Sequence, residues 1–361
     1  MSQQIKEIDI RSTYAVGHGR LSSEKPVVIR TQRQLATLAG VSMTTVYNAL
    51  HCKELVHEKT LEKIYQLMKE YDYHPDGVAR AMVSGKTNVL GIIVPMVEVP
   101  YYAKLLSAIE RATNDMGYNC IFCQHGDDKL KEERELRVMR ERRVDGLIVR
   151  ASGSRDDASV YRRLKESQTP FVLIDRRFEE LDKYYVSSDD FMAAKQLVDY
   201  LVAKGHRRIG IVYWPSNVNQ NGSRFDGYCE GLRQNGLDVD KRLMIKCAYE
   251  YFSGREETYE LLRRNESNKP TAILACNDTS AIGVVKALRE LNLNIPGDVA
   301  VVGIGGCIDM SLLPVQVTTA VLSFEAVAHR AVEMLFEQLN GTKWNCGPIL
   351  VPAELRIGST T

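Results

Sequence analysis

The sequence has no apolar run approaching the ~18–20 residues that cross a bilayer. Its opening stretch, MSQQIKEIDIRSTYAVGHGR, has none of the apolar core of a secretory leader. No membrane contact is expected, and the reading is a cytoplasmic protein. Cysteine is present eight times but scattered. Only Cys120 and Cys123 lie close together, in YNCIFC, which reads as a strand. Side chains three apart on a strand point to opposite faces, so the pair suits neither a metal nor a redox couple, and the cysteines read as buried or half-buried thiols. Catalytic constellations are missing too. There is no G-x-x-x-x-G-K-[ST] phosphate loop and no H-E-x-x-H, no G-x-S-x-G, and the seven histidines are dispersed. The run GIGG at 303–306 lacks the third glycine and following acidic residue of a dinucleotide loop. No enzyme, no cofactor and no metal are expected.

What is present is an ordinary globular composition: 361 residues, 44% hydrophobic and 26% charged. That length suits two or three domains. The net charge of +1 is unevenly spread. Residues 1–90 carry 12 Lys and Arg against 9 Asp and Glu, and the remainder 35 against 37. A basic head on a faintly acidic body hints at a polyanion partner for the head.

Four zones follow. Residues 1–30 are polar without periodicity and read as a flexible extension. Residues 31–74 read as helical. Residues 75–88 carry Pro, Gly and Ser around a short helix and read as a linker. From residue 89 to 361, apolar strands alternate with amphipathic helices, beginning with VLGIIVP and a helix over 101–117 with Leu105, Ile109, Ala112 and Met116 inward. Such alternation predicts parallel sheets covered on both faces by helices. The strands are too many for one compact sheet, so two lobes are expected, with HRRIGIVYW opening the second. The fold class is α/β with an all-α head at the N-terminus.

The most specific signal is TQRQLATLAGVSMTTVYNAL at 31–50. Thr31 can cap a first helix with Leu35, Ala36 and Ala39 on its apolar face. Gly40 follows, and Ser42 can cap a second helix with Val46 and Leu50 inward. This is the layout of a helix-turn-helix, whose second helix presents N-terminal side chains to base edges in the major groove. Met43 and Thr44 point outward there and Asn48 lies one turn on. Asn bonds bidentately to adenine, and Met and Thr methyls can touch thymine. A third helix, 58–71, would pack Leu61, Ile64, Leu67 and Met68 behind. The candidate DNA contacts of the head are Thr31, Arg33, Ser42, Met43, Thr44, Thr45, Tyr47 and Asn48.

These motifs resemble the lactose-repressor (LacI/GalR) family of bacterial transcription regulators. The head carries L-A-x-L-A-G-V-S-x-x-T-V, Tyr73-His74-Pro75, Val78-Ala79-Arg80 and Ser84-Gly85-Lys86-Thr87. The body carries Val144-Asp145-Gly146, Ile174-Asp175-Arg176, Lys204 through Ile209, Asn277-Asp278, Ile295 through Val299, Val302-Gly303 and Leu355. The resemblance covers roughly residues 30–361. It implies a homodimeric regulator, expected to be a repressor, that binds a pseudo-palindromic double-stranded operator. It also implies a two-lobed body like periplasmic sugar-binding proteins, with a small-molecule effector in the cleft. Residues 76–84 would be the hinge helix, with Val78, Arg80 and Met82 against DNA and Met82 as the minor-groove wedge. Tyr47 and Asn48 stand where Ser and Arg are common, so no operator sequence is carried over.

The same resemblance implies an effector shell of Tyr101, Tyr102, Arg150, Arg176, Arg224, Asn277 and Gly305. Gly305 and Gly306 stand where the family has an acidic residue after a strand. With that acceptor gone and three arginines kept, the expected effector is anionic, a phosphorylated sugar or sugar acid. In the alternative, Asp309 or Asp175 reaches in and a neutral sugar binds. In the third, the cleft is closed and the body only dimerises. The end, VPAELRIGSTT, has no heptad pattern, which predicts a dimer rather than a tetramer. A solute-binding protein is the competing class; the helical head argues against it.

Overall fold

A capping box opens the head. Thr31 Oγ1 accepts the Gln34 N–H at 3.2 Å, and Gln34 Oε1 accepts the Thr31 N–H at 3.1 Å, satisfying donors that the helix start leaves without partners. Helix α1 runs Gln32–Ala39 and stops at Gly40, whose φ of +66° is the left-handed turn that glycine adopts without strain. Ser42 accepts the Thr45 N–H at 3.0 Å and starts α2, Met43–His51. A short 3-10 turn, Lys53–Leu55, leads to α3, Glu58–Glu70. Leu35, Ala36, Ala39, Val46, Ala49 and Ile64 close a small core with Ile29 and Tyr73. Leu50, Leu61, Leu67 and Met68 pack at its rim, only partly buried. Tyr65 donates to the Ala49 carbonyl at 3.0 Å and ties α3 to α2.

The structure, a computed structural model, describes residues 29–74, 85–153, 157–214, 223–248, 251–309, 314–342 and 347–361. The hinge candidates Val78, Arg80 and Met82, and residues 1–28, lie outside the described residues. The chain divides into two compact units, residues 1–85 and 86–361.

The body begins with β1 (Val89–Val94), α4 (Pro100–Asn114), β2 (Asn119–Gln124), α5 (Lys129–Glu141), β3 (Gly146–Val149), α6 (Ser159–Glu166), β4 (Phe171–Ile174) and β5 (Tyr185–Ser188). It continues with α7 (Asp190–Ala203), β6 (Ile209–Tyr213), α8 (Arg224–Gln234), β7 (Met244–Lys246), α9 (Tyr251–Arg264), β8 (Ala272–Ala275), α10 (Asp278–Glu290) and β9 (Ala300–Gly305). It ends with β10 (Thr318–Val321), α11 (Phe324–Leu339), β11 (Ile349–Val351) and β12 (Glu354–Arg356). Two six-stranded sheets result, ordered β11-β5-β4-β3-β1-β2 and β12-β10-β9-β8-β6-β7. All pairings are parallel except β10 with β12. β6 opens the second sheet, as the alternation predicted.

The central strands of both sheets are buried on both faces. In the first, Ile92, Ile148, Val172 and Ile174 pack toward α4 and α11. The alternate residues Ile93, Leu147, Val149 and Leu173 pack on the other side with Leu136 of α5 and Tyr161 of α6. The chain crosses between lobes. α7 follows β5 but packs on α8 and the second sheet, while α11 follows β10 but packs on α4 and the first sheet. In each sheet the first strand lies between the second and third, a point where the connections reverse direction. Ligands of such sheets sit in the crevice beyond the strands' carboxyl ends at that point.

The helix expected over 101–117 ends at Asn114, and Met116, expected inward, is 55% exposed. Its buried face is Tyr101, Tyr102, Leu105, Ala108, Ile109 and Thr113. The short elements α6, β7, β10, β11 and β12, together with α9, were not anticipated. Strands of three or four residues carry too little periodicity, and pairing with a neighbour defines them. No helix among the described residues is long and apolar enough to cross a membrane.

Candidate functional site

The head sorts its candidate residues into two groups. Thr31 is held by Gln34, and Ser42 and Thr45 bond each other at 2.9 Å. These three hold helix starts. Arg33, Met43, Thr44 and Tyr47 are exposed, Met43 at 49% and Tyr47 at 39%, and Asn48 is half-buried. Among the described residues, the Arg33, Thr44 and Asn48 side chains make no hydrogen bond. Tyr47 packs on His51, ring centroids 4.6 Å apart. The N-terminal turns of α2 thus present an apolar methyl-bearing group, a hydroxyl and an amide outward.

The body gathers polar residues at the carboxyl ends of both sheets. Tyr101 and Tyr102, in the first turn of α4, meet edge to face at 5.1 Å, and Tyr101 meets Phe324 of α11 at 5.4 Å. The Tyr101 hydroxyl donates to Asp175, just beyond β4. Asp175 keeps some exposure, yet desolvation by the surrounding protein raises its pKa against the Tyr101 hydrogen bond and the Arg150 charge. Arg150, beyond β3, donates from Nη1 to Asp127 at 2.8 Å and to the Ala151 carbonyl at 2.8 Å, while its buried Nε has no partner among the described residues. Arg224, first residue of α8, donates from Nε to Asp190 of α7 at 2.9 Å and from Nη1 to the Cys276 carbonyl. Beside this cluster a cavity of about 300 Å³ is lined by Asp175, Tyr185, Ser187, Asp190, Phe191 and Met192 among others.

Three expectations need correction. Arg176 sits near the Arg150–Asp127 pair but does not line the cavity. It is 1% exposed, donates to the Ser152 carbonyl and lies over Phe178, 5.4 Å from the ring centroid. Asp175 itself turns through a φ of +61°. The second correction concerns the arginines thought to lack anions: Arg150 and Arg224 are already paired with Asp127 and Asp190. The third concerns acceptors. Asp278, at the start of α10, occupies the region of Gly305 and Gly306. It takes the Gly306 N–H at 2.6 Å and the Thr319 hydroxyl at 2.6 Å. A Cβ at Gly305 would sit 3.1 Å from its Oδ2. Asp175, held in reserve by the sequence reading, and Asp189 and Asp190, which it overlooked, are the carboxylates that border the cavity.

Asn277 is 4% exposed and caps α10 through the Ser280 N–H at 2.8 Å, so its side-chain oxygen already has a structural task. Trp214, just past β6, is 46% exposed.

Comparison with known proteins agrees with this geometry. A family model described as periplasmic binding proteins and sugar binding domain of LacI family matches residues 87–343. A second, bacterial regulatory proteins of the lacI family, matches residues 32–76. The chain is 26% identical to the HTH-type transcriptional regulator DegA of Bacillus subtilis (strain 168) over 91% of this chain and 96% of that one. It is 29% identical to the HTH-type transcriptional regulator RegA of Clostridium saccharobutylicum, over 85% and 92%. Among solved structures, the Lac repressor dimer bound to operator and the anti-inducer ONPF has a TM-score of 0.78 at 24% identity, covering 93% of this chain and 99% of that one.

Proposed function

Because the chain belongs to the LacI family of bacterial regulatory proteins, we propose that it is a homodimeric transcription repressor whose head reads a pseudo-palindromic operator and whose cleft binds a neutral, polyhydroxylated effector. The observation that carries the DNA reading is the exposed start of α2, where Met43, Thr44, Tyr47 and Asn48 stand outward on a helix locked by two caps. Two such heads related by a two-fold axis read a two-fold site. Dimerisation is supported by β2, the edge strand of the first sheet, which leaves Ile121 and Phe122 about 40% exposed. An apolar edge strand invites pairing with a second copy.

The neutral effector is favoured by the internal pairing of Arg150 and Arg224, which removes the need for an anionic ligand. Asp175, Asp189 and Asp190 supply acceptors for hydroxyl groups, and Tyr185 and Phe191 in the cavity lining supply apolar surface for a sugar ring. Charge-assisted bonds to hydroxyls are the strong ones. The test is selection of binding sites from random duplex DNA, followed by footprinting across a salt series, then thermal-shift screening of paired neutral and phosphorylated sugars. A two-fold consensus and stabilisation by a neutral sugar are expected. An asymmetric consensus would overturn the dimeric reading, and preference for the phosphorylated member of a pair would overturn the neutral one.

A further inference from the structure

The first lobe carries a second groove, with a lining distinct from that of the cavity: it lies between α5 and α6, on the helical layer covering one face of the first sheet. Its volume is about 340 Å³. The floor is apolar, with Leu136 and Leu164 each 2% exposed, and Leu130, 70% exposed, stands at one end. Arg134, Arg137 and Arg140 of α5 and Arg163 of α6 line it, all exposed.

None of these four arginines makes an ion pair or side-chain hydrogen bond among the described residues. Several arginines elsewhere in the body are paired. On the second lobe, Arg242 pairs with Asp240 at 2.9 Å, Arg255 with Glu290 at 2.8 Å, and Arg263 with Glu260 at 2.7 Å. The acidic residue in the groove lining, Glu133, already has an interaction of its own. The body as a whole is slightly acidic, so the positive charge is local and not a share of a general excess.

We propose that this groove docks an acidic amphipathic helix of a partner protein. Arg134, Arg137 and Arg140 follow one another at three-residue steps, ~4.5 Å apart along the axis at 1.5 Å per residue. Carboxylates on one face of a helix recur at i, i+3 and i+4, ~5–6 Å apart, so a helix laid along α5 matches the arginine row. The apolar floor between two helices receives the apolar stripe of a third, the helix-in-groove mode of recognition. Guanidinium forks then take carboxylates in pairs. A small anion would use the arginines but leave the exposed Leu130 idle.

The experiment uses the full chain and a labelled 14-residue peptide with Glu on one helical face and Leu on the other. A scrambled peptide of the same composition, inorganic tripolyphosphate and a 20-base-pair duplex of unrelated sequence serve as comparisons. Fluorescence anisotropy should show binding of the patterned peptide at least about tenfold tighter than of the scrambled one, weakening with salt. Hydrogen exchange should slow over 129–141 and 159–166. The pair Arg137→Glu with Arg163→Glu should reduce binding at least about tenfold while the melting temperature stays put, and a Lys-for-Glu peptide should then bind the variant better. Equal binding of the scrambled peptide, competition by tripolyphosphate or duplex at matched charge, an unchanged affinity in the double variant, or no binding at all would each overturn the proposal.

Discussion

The head and the cleft hold their candidate residues in opposite conditions. On α2, Thr44 and Asn48 make no side-chain hydrogen bond among the described residues. In the cleft, Tyr101 is bonded to Asp175, Arg150 to Asp127 and Arg224 to Asp190. A reader of DNA made this way is preformed: its side chains exchange only water for base edges. A cleft made this way is self-satisfied, and a ligand must replace bonds that already exist. Any difference in those bonds between open and closed lobes becomes differential affinity, and only differential affinity lets a ligand shift a conformational equilibrium.

The sharpest way to separate the regions is to remove the head alone. Its core has eight buried apolar residues, so truncation is felt at once. Leu35→Ala should cost about 2–5 kcal/mol, enough to unfold a small domain. Calorimetry should then lose the head's transition and keep the body's, with operator binding abolished and sugar-induced stabilisation retained. Loss of both transitions together would show the two regions to be one cooperative unit.

Next is the cleft's own pairing. Arg224 has a side chain 14% exposed and holds both Asp190 and the Cys276 carbonyl. Arg224→Ala removes a largely buried guanidinium from a half-buried carboxylate, 35% exposed, so the loss is expected below the about 3 kcal/mol of a fully buried pair. Effector affinity should fall steeply and stability with it. Arg176→Met is the contrast. Arg176 Nε and Nη2 lack partners among the described residues, so replacing it with an apolar chain should change stability by under about 1.5 kcal/mol and leave effector affinity alone. A ligand defect in Arg176→Met, measured by calorimetric titration, would return that residue to the cleft.

The two regions also differ in how far the sequence disclosed them. The head was legible because its determinants are local. Thr31, Gly40 and Ser42 set the caps, and Leu35, Ala36, Ala39 and Val46 the core, within sixteen consecutive positions. The alternation of strands and helices likewise announced parallel sheets in two lobes. The cleft was not legible in the same way. Asp190 meets Arg224 across 34 residues and Asp278 meets Thr319 across 41. The first depends on α7 leaving the first sheet to pack on the second, and both join elements far apart in sequence, which no local pattern encodes. The sequence therefore supplied the arginines and missed what neutralises them. Asp175 and Arg176, adjacent in sequence, find different partners, the Tyr101 hydroxyl and the Ser152 carbonyl.

On the head, Asn48→Ala probes whether the exposed turn reads bases or only backbone. A bidentate amide contact carries about 1–3 kcal/mol of discrimination. Affinity for the selected operator should drop by that amount, and affinity for random DNA should hardly move. Gel-shift titration on both duplexes decides it; equal losses would place Asn48 on the sugar-phosphate backbone.

The smallest effect tests the cleft's electrostatics without any ligand. Burial raises the Asp175 pKa above its ordinary value near 3.8, despite the opposing pull of Tyr101, Arg150 and Arg224. A carboxyl group with a raised folded-state pKa binds more protons in the folded chain than in the unfolded one. Stability from this group is therefore full at acid pH, declines as pH rises from about the unfolded value through the folded one, and levels off above it. Asp278 is raised for the same first cause, burial, and adds a decline of the same sign. Asp175→Asn should remove one of these two contributions. Denaturant unfolding from pH 4 upward should show a shallower fall for the variant, with the Tyr101 hydroxyl still donating to the amide oxygen. Asp278→Asn cannot serve as the comparison, since it also disturbs the bonds to Thr319 and Gly306. A variant curve parallel to that of the parent would mean that Asp175 is already fully hydrated, and that the cleft is wetter and more open than its internal bonding implies.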